Sequence, residues 1–204
     1  MPHLVAIVGI CTVIATSLAD VAAETRRQKP VIEQPQNQAQ PQSAADAQAI
    51  AELNTRIKEY VAMHQRLEAT LPPLPKETNP KVIDTHERAL EKLIRTERKN
   101  ARPGDIITPA ARRALRQRFA RVFSGTSGQQ FKATILDENP GRIALTVNSR
   151  YPDEVPVSTV PPQVLSALPP LPDELEYRFI GERLILLDIH AHTIADFMDN
   201  AFPR

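Results

Sequence analysis

The pentapeptide Leu-Pro-Pro-Leu-Pro occurs twice in this chain, at residues 71–75 and 168–172. No helix can run through it, because each proline lacks an amide donor and drives the residue before it out of the helical region. Nineteen prolines in 204 residues thus cut the fold into short elements joined by sharp corners. Each copy of the pentapeptide follows a short helical-looking run, 66–70 and 162–167, which suits a stiff polyproline II connector leaving a helix. The alternative, a PxxP ligand for a partner domain, belongs in an exposed tail rather than between core elements.

An apolar content of 42 % suffices for one core and hardly for two at this length. The formal net charge of +1 gives no bulk drive toward nucleic acid or anionic membrane. Residues 4–23 are almost uninterruptedly apolar, and Val21-Ala22-Ala23 puts small residues at the −3 and −1 positions that a signal peptidase reads. We expect residues 1–23 to be a signal peptide cleaved before Glu24, which makes the protein periplasmic or secreted. Met1-Pro2-His3 lacks the usual Lys or Arg.

The alternative is an uncleaved membrane anchor at residues 4–23, the one route to a membrane that the sequence offers. Thr12, Thr16, Ser17 and Asp20 make it a poor permanent span. The single cysteine, Cys11, lies mid-run behind Val8-Gly9-Ile10, a poor lipobox. After cleavage no thiol remains, which excludes an internal disulfide, a thiol nucleophile and a cysteine-based zinc site. Residues 24–44, rich in Gln, Pro and Ala, cannot bury enough apolar surface to fold and read as a disordered tether. Residues 45–204 then form a single α+β domain.

Ile50, Leu53, Ile57, Tyr60, His64, Leu67 and Leu71 recur in steps of three and four, which predicts an amphipathic helix. The stripe fits a helix docked on its own domain, or a coiled-coil seam. His64 lies on it, either as a hydrogen-bonded core residue or as a ligand. A second helix is predicted over 80–101. Thr108-Pro109 predicts the start of a third running to residue 122 or 123, since Thr can cap the free amides and Pro loses no bond in the first turn.

Between Arg88 and Arg121, eleven Lys and Arg face three acids; between Asp137 and Asp199, eleven acids face four Arg. The basic half, with Arg112, Arg113 and Arg116 as contacts, fits an anionic envelope polymer. The preferred reading is a solvated face partly neutralised by the acidic half. Aromatic residues for base stacking are missing, which disfavours nucleic acid.

Residues 131–136 and 143–148 alternate around Asn139-Pro140-Gly141, a hairpin signal, and a second hairpin is predicted from strands 175–180 and 183–190 around Gly181-Glu182. Residues 151–162 read as an extended surface crossing, and 193–201 as a short C-terminal helix. The expected fold class is therefore α+β: three N-terminal helices on a small antiparallel sheet of about four strands, closed by that helix.

The chain has no GxGxxG, GxxxxGK[ST], GxSxG or HExxH pattern, so no dinucleotide, phosphate-loop, serine-hydrolase-elbow or zincin chemistry is signalled. Asp188, His190 and His192 are spaced by two. If their strand continues, all three leave one face and can hold a divalent transition metal, the only cofactor the sequence suggests; otherwise they form a polar edge.

Tyr177-Arg178, Gly181, Leu184, Leu186, Asp188 and Ile194 resemble the closing hairpin of small periplasmic bacterial proteins of the RcnB-like kind, which implies nickel or cobalt homeostasis. Pro161-Pro162 before Leu168-Pro169-Pro170-Leu171-Pro172 resembles an uncharacterised family of exported bacterial proteins. Neither resemblance supplies catalytic residues. The sequence therefore suggests a non-enzymatic exported binding or structural protein, whose partner is an anionic envelope polymer or another protein. The alternative is a periplasmic metal-handling protein using Asp188, His190 and His192, with an enzyme as the third option.

Overall fold

The stripe at steps of three and four forms one face of helix α1, Ala39–Glu68, in a computed structural model that describes residues 39–77, 79–137, 143–155 and 160–203. From Ile50 to Leu67 every residue of the stripe is buried. It packs against α3, Pro109–Val122, and the sheet, so it serves a docked helix. The N-terminal end of α1 lies inside the stretch expected to be tether. The signal or anchor segment, tether residues 24–38, the turn 139–141 and crossing residues 156–159 lie outside the described residues. Among the described residues no helix is long and apolar enough to cross a membrane.

Helix α2, Pro80–Glu97, starts where the Asn79 side chain accepts from the Val82 amide at 3.1 Å and Pro80 takes the first turn. It ends four residues earlier than its hydrophobic pattern predicts, because the next segment is held elsewhere. The amides of Gly104, Ile106 and Ile107 all donate to the carboxylate of Asp196, which is fully buried. Thr108 caps α3 as expected, accepting from the Ala111 amide at 3.2 Å.

Three strands make the sheet, in the order β1 Leu175–Ile180, β2 Arg183–Asp188, β3 Thr193–Met198, all antiparallel. The second predicted hairpin is β1–β2, turning at Gly181 with φ +55°. The register shifts between Leu186 and Leu187, which pair with Asp196 and Ile194, so Ala195 is an extra residue in β3. Leu184, Leu186, Ala195 and Met198 join the core shared with α1 and α3. Ile185, Leu187, Ile194 and Phe197 form a second apolar layer under Val147 and Tyr151.

Three expectations are corrected. Residues 131–136 belong to helix α4, Gly125–Asp137, with Ile135 in the core; a six-residue alternating run fits either period. Residues 143–148 form no strand. Ile143, Leu145 and Val147 pack onto the free face of the sheet while Ala144 and Thr146 are exposed. The alternation thus recorded one-sided burial, which a covering segment shows as well as a paired strand.

The predicted C-terminal helix is instead strand β3, buried along its whole length. Burial on both faces removes the alternation that marks a strand. Among the described residues the sheet therefore has three strands rather than about four. A four-residue helix, α5 Pro162–Leu165, precedes the second pentapeptide. The described residues all belong to one compact unit spanning residues 37–204.

Candidate metal centre

Strand β2 stops at Asp188 because its side chain turns the chain: Oδ1 accepts from the amides of His190 and Ala191 at 3.1 and 2.9 Å. His192 then takes φ +50°. Spacing by two therefore does not put Asp188, His190 and His192 on one face. His190 reaches toward α1. His192 instead stands 3.5 Å from Asp153, its ring edge-on to Tyr151.

Asp188 is fully buried, and its Oδ2 accepts from Tyr60 Oη at 2.8 Å and from His64 Nδ1 at 2.6 Å. A carboxylate with both oxygens engaged as acceptors requires the proton on Nδ1, which leaves His64 Nε2 aimed the other way. Nε2 is 3.2 Å from Glu68 Oε2, and His190 Nδ1 is 3.2 Å from Glu68 Oε1. The two imidazoles are 5.3 Å apart. Among the described residues, His64 Nε2 or Nδ1, a Glu68 oxygen and a His190 nitrogen form a group lying within 4.8 Å of one another.

Electrostatics follow from this arrangement. Burial works against a charged His64, but the Asp188 hydrogen bond and charge, with Glu68 beside it, outweigh that and raise its pKa. Glu68 also pays for burial, yet the His190 and His64 contacts leave its pKa below the ordinary carboxylate value. Burial, reinforced by Asp188, pushes the Tyr60 phenol well up, so Tyr60 remains a donor. The Arg98 guanidinium lies over the Tyr60 ring, 4.9 Å from its centroid.

The site thus has an interior end and a solvent end. His64 is 0 % exposed; the Glu68 and His190 side chains are 30 and 41 % exposed and form the entrance. Of the residues singled out by spacing, Asp188 and His190 belong to this cluster and His192 does not. Glu68, which the spacing of Asp188, His190 and His192 does not include, lies four residues after His64, one helical turn along the same face. That His-x-x-x-Glu spacing was the available signal; the long-range approach of His190 had none.

The polyanion candidates fare differently from one another. Arg112 donates to the carbonyls of Ile107 and Phe197, and Arg116 to those of Asp199 and Asn200. Arg113 is exposed. Two of the three guanidiniums are thus engaged in holding the end of the sheet to α3.

No protein-family model, no curated protein and no solved structure matches the chain.

Proposed function

We propose that this protein is an exported binding protein whose ligand is a divalent transition metal, held by His64 Nε2, Glu68 and His190 Nδ1. The observation that carries the reading is the convergence of two imidazoles and a carboxylate within 4.8 Å, backed by a buried carboxylate that fixes the tautomer of one imidazole. Histidines that bind metals regularly donate their other ring N–H to such a partner, and Asp188 is that partner for His64. Imidazole and carboxylate donors suit Zn²⁺, Ni²⁺ and Cu²⁺. A tetrahedral site with bonds of about 2.0 Å puts its donors roughly 3.3 Å apart. Torsions of the part-exposed Glu68 and His190 side chains can supply the contraction.

Export is supported by the apolar run 4–23 and the small residues that end it. The metal reading agrees in kind with what the hairpin's resemblance implies and does not rest on it. Calorimetric titration of the purified protein with Zn²⁺, Ni²⁺ and Cu²⁺ should give one ion per chain for at least one metal. Binding should be lost in the Glu68→Gln/His190→Ala double variant and kept in His192→Ala. An absence of heat with all three ions, or full binding by the double variant, would refute the reading.

A further inference from the structure

Glu68 is approached by a third imidazole. His86, from the first half of α2, has Nε2 3.6 Å from Glu68 Oε1, and its side chain is only 10 % exposed. The same oxygen is 3.2 Å from His190 Nδ1, while Oε2 is 3.2 Å from His64 Nε2. Three imidazole nitrogens from three separate elements, α1, α2 and the β2–β3 turn, thus point at one carboxylate. Among the described residues no Lys or Arg pairs with Glu68. Its charge is met by histidines alone, which are good metal donors and weak permanent counter-ions.

Resting on the reading above, we infer that His86 Nε2 is a fourth ligand, so that the loaded site is a closed set of three imidazoles and one carboxylate. The backbone of α2 is already fixed: Leu90 and Ile94, one and two turns further along, are fully buried with Leu67 and Ala191. His86 would join by turning its side chain toward the other donors, from a position already 3.6 Å from Glu68 Oε1. A filled four-coordinate shell leaves no open position for water or substrate, which characterises sites that hold or carry a metal rather than activate water with it. The donor set selects borderline ions, Zn²⁺, Co²⁺, Ni²⁺ and Cu²⁺, over the all-oxygen ions Ca²⁺ and Mg²⁺. The ion would also tie three elements together and stabilise the fold by mass action.

The test counts imidazoles. The chain has five histidines, and the His3→Ala/His192→Ala variant keeps only His64, His86 and His190. Pulsed EPR of that variant loaded with one Cu²⁺ per chain reads the coordinated imidazoles through their remote nitrogens. Three are expected, falling to two in the added His86→Gln variant with an affinity at least about 10-fold weaker, the loss already typical when a mere supporting partner is removed. Two imidazoles in the three-histidine protein would overturn the inference while leaving the His64 and His190 site standing. No imidazole coordination would overturn both. The count in the unaltered trio needs no substitution within the site, so a folding defect in His86→Gln cannot mask the result.

Discussion

His64 connects packing to chemistry in this molecule. It is a member of the α1 stripe and is as buried as any leucine there, yet both its ring nitrogens meet carboxylates, Asp188 inside and Glu68 at the rim. A buried imidazole between two carboxylates favours its proton, and the net effect lifts its pKa above the ordinary value of 6.5. The folded state then holds that proton more tightly than the unfolded one. Its contribution to stability is complete below about pH 6.5 and is lost as the pH rises through the raised folded value. Metal-free protein should therefore show a falling Tm from about pH 6.5 upward, with the fall blunted in His64→Gln. A wild-type Tm that rises over this interval, or an unblunted variant, would contradict the assignment.

At the scale of elements, the junction of α3 and α4 leaves no room for a side chain at Gly128. Gly125 opens α4 at φ +69°, and a Cβ on Gly128 would collide with the backbone of Phe123, which cannot move aside as a flexible side chain can. Gly128→Ala should cost about 1–3 kcal/mol in urea unfolding, the usual range for forced overpacking; unchanged stability would show that α4 can shift freely. This junction also shows why α4 was illegible in the sequence. Gly-Thr-Ser-Gly has poor helix propensity and reads as a turn, whereas Phe131, Ile135 and Leu136 of the same helix pack on the core. The stripe of α1, the Thr108 cap and the Gly181 hairpin were legible because their signals are local. Strand β3 was not, since Asp196, unusual in a strand, is there to receive three amides from a loop some ninety residues earlier. The candidate site was half legible for the same reason: His64 with Glu68, and Asp188 with His190, are close in sequence, whereas the meeting of these two pairs with each other and with His86 is made by the fold.

Across the whole molecule, the basic and acidic halves meet less through ion pairs than through arginines donating to main-chain oxygens. Arg98 reaches the Ala195 carbonyl, Arg112 that of Phe197, and Arg116 those of Asp199 and Asn200. The charge contrast along the sequence therefore has a structural use: cations of the helical half cap carbonyls at the end of the strand half. Arg112→Ala should destabilise by about 1.5–3 kcal/mol, as expected for hydrogen bonds to a charged donor. Arg113→Ala, at an exposed position, should stay within about 0.5 kcal/mol. Equal effects from the two in chemical denaturation would argue against this division of labour.

The proposed metal site brings these scales together, because α1, α2 and the β2–β3 turn, which also pack through Leu67, Leu90, Ile94 and Ala191, all place an imidazole near Glu68. Anomalous diffraction at the zinc edge from crystals grown with Zn²⁺ tests that directly. A single strong peak is expected within bonding distance of His64 Nε2, Glu68 and His190 Nδ1, with Asp188 still on His64 Nδ1. A peak between His192 and Asp153, or none at the cluster, would contradict it.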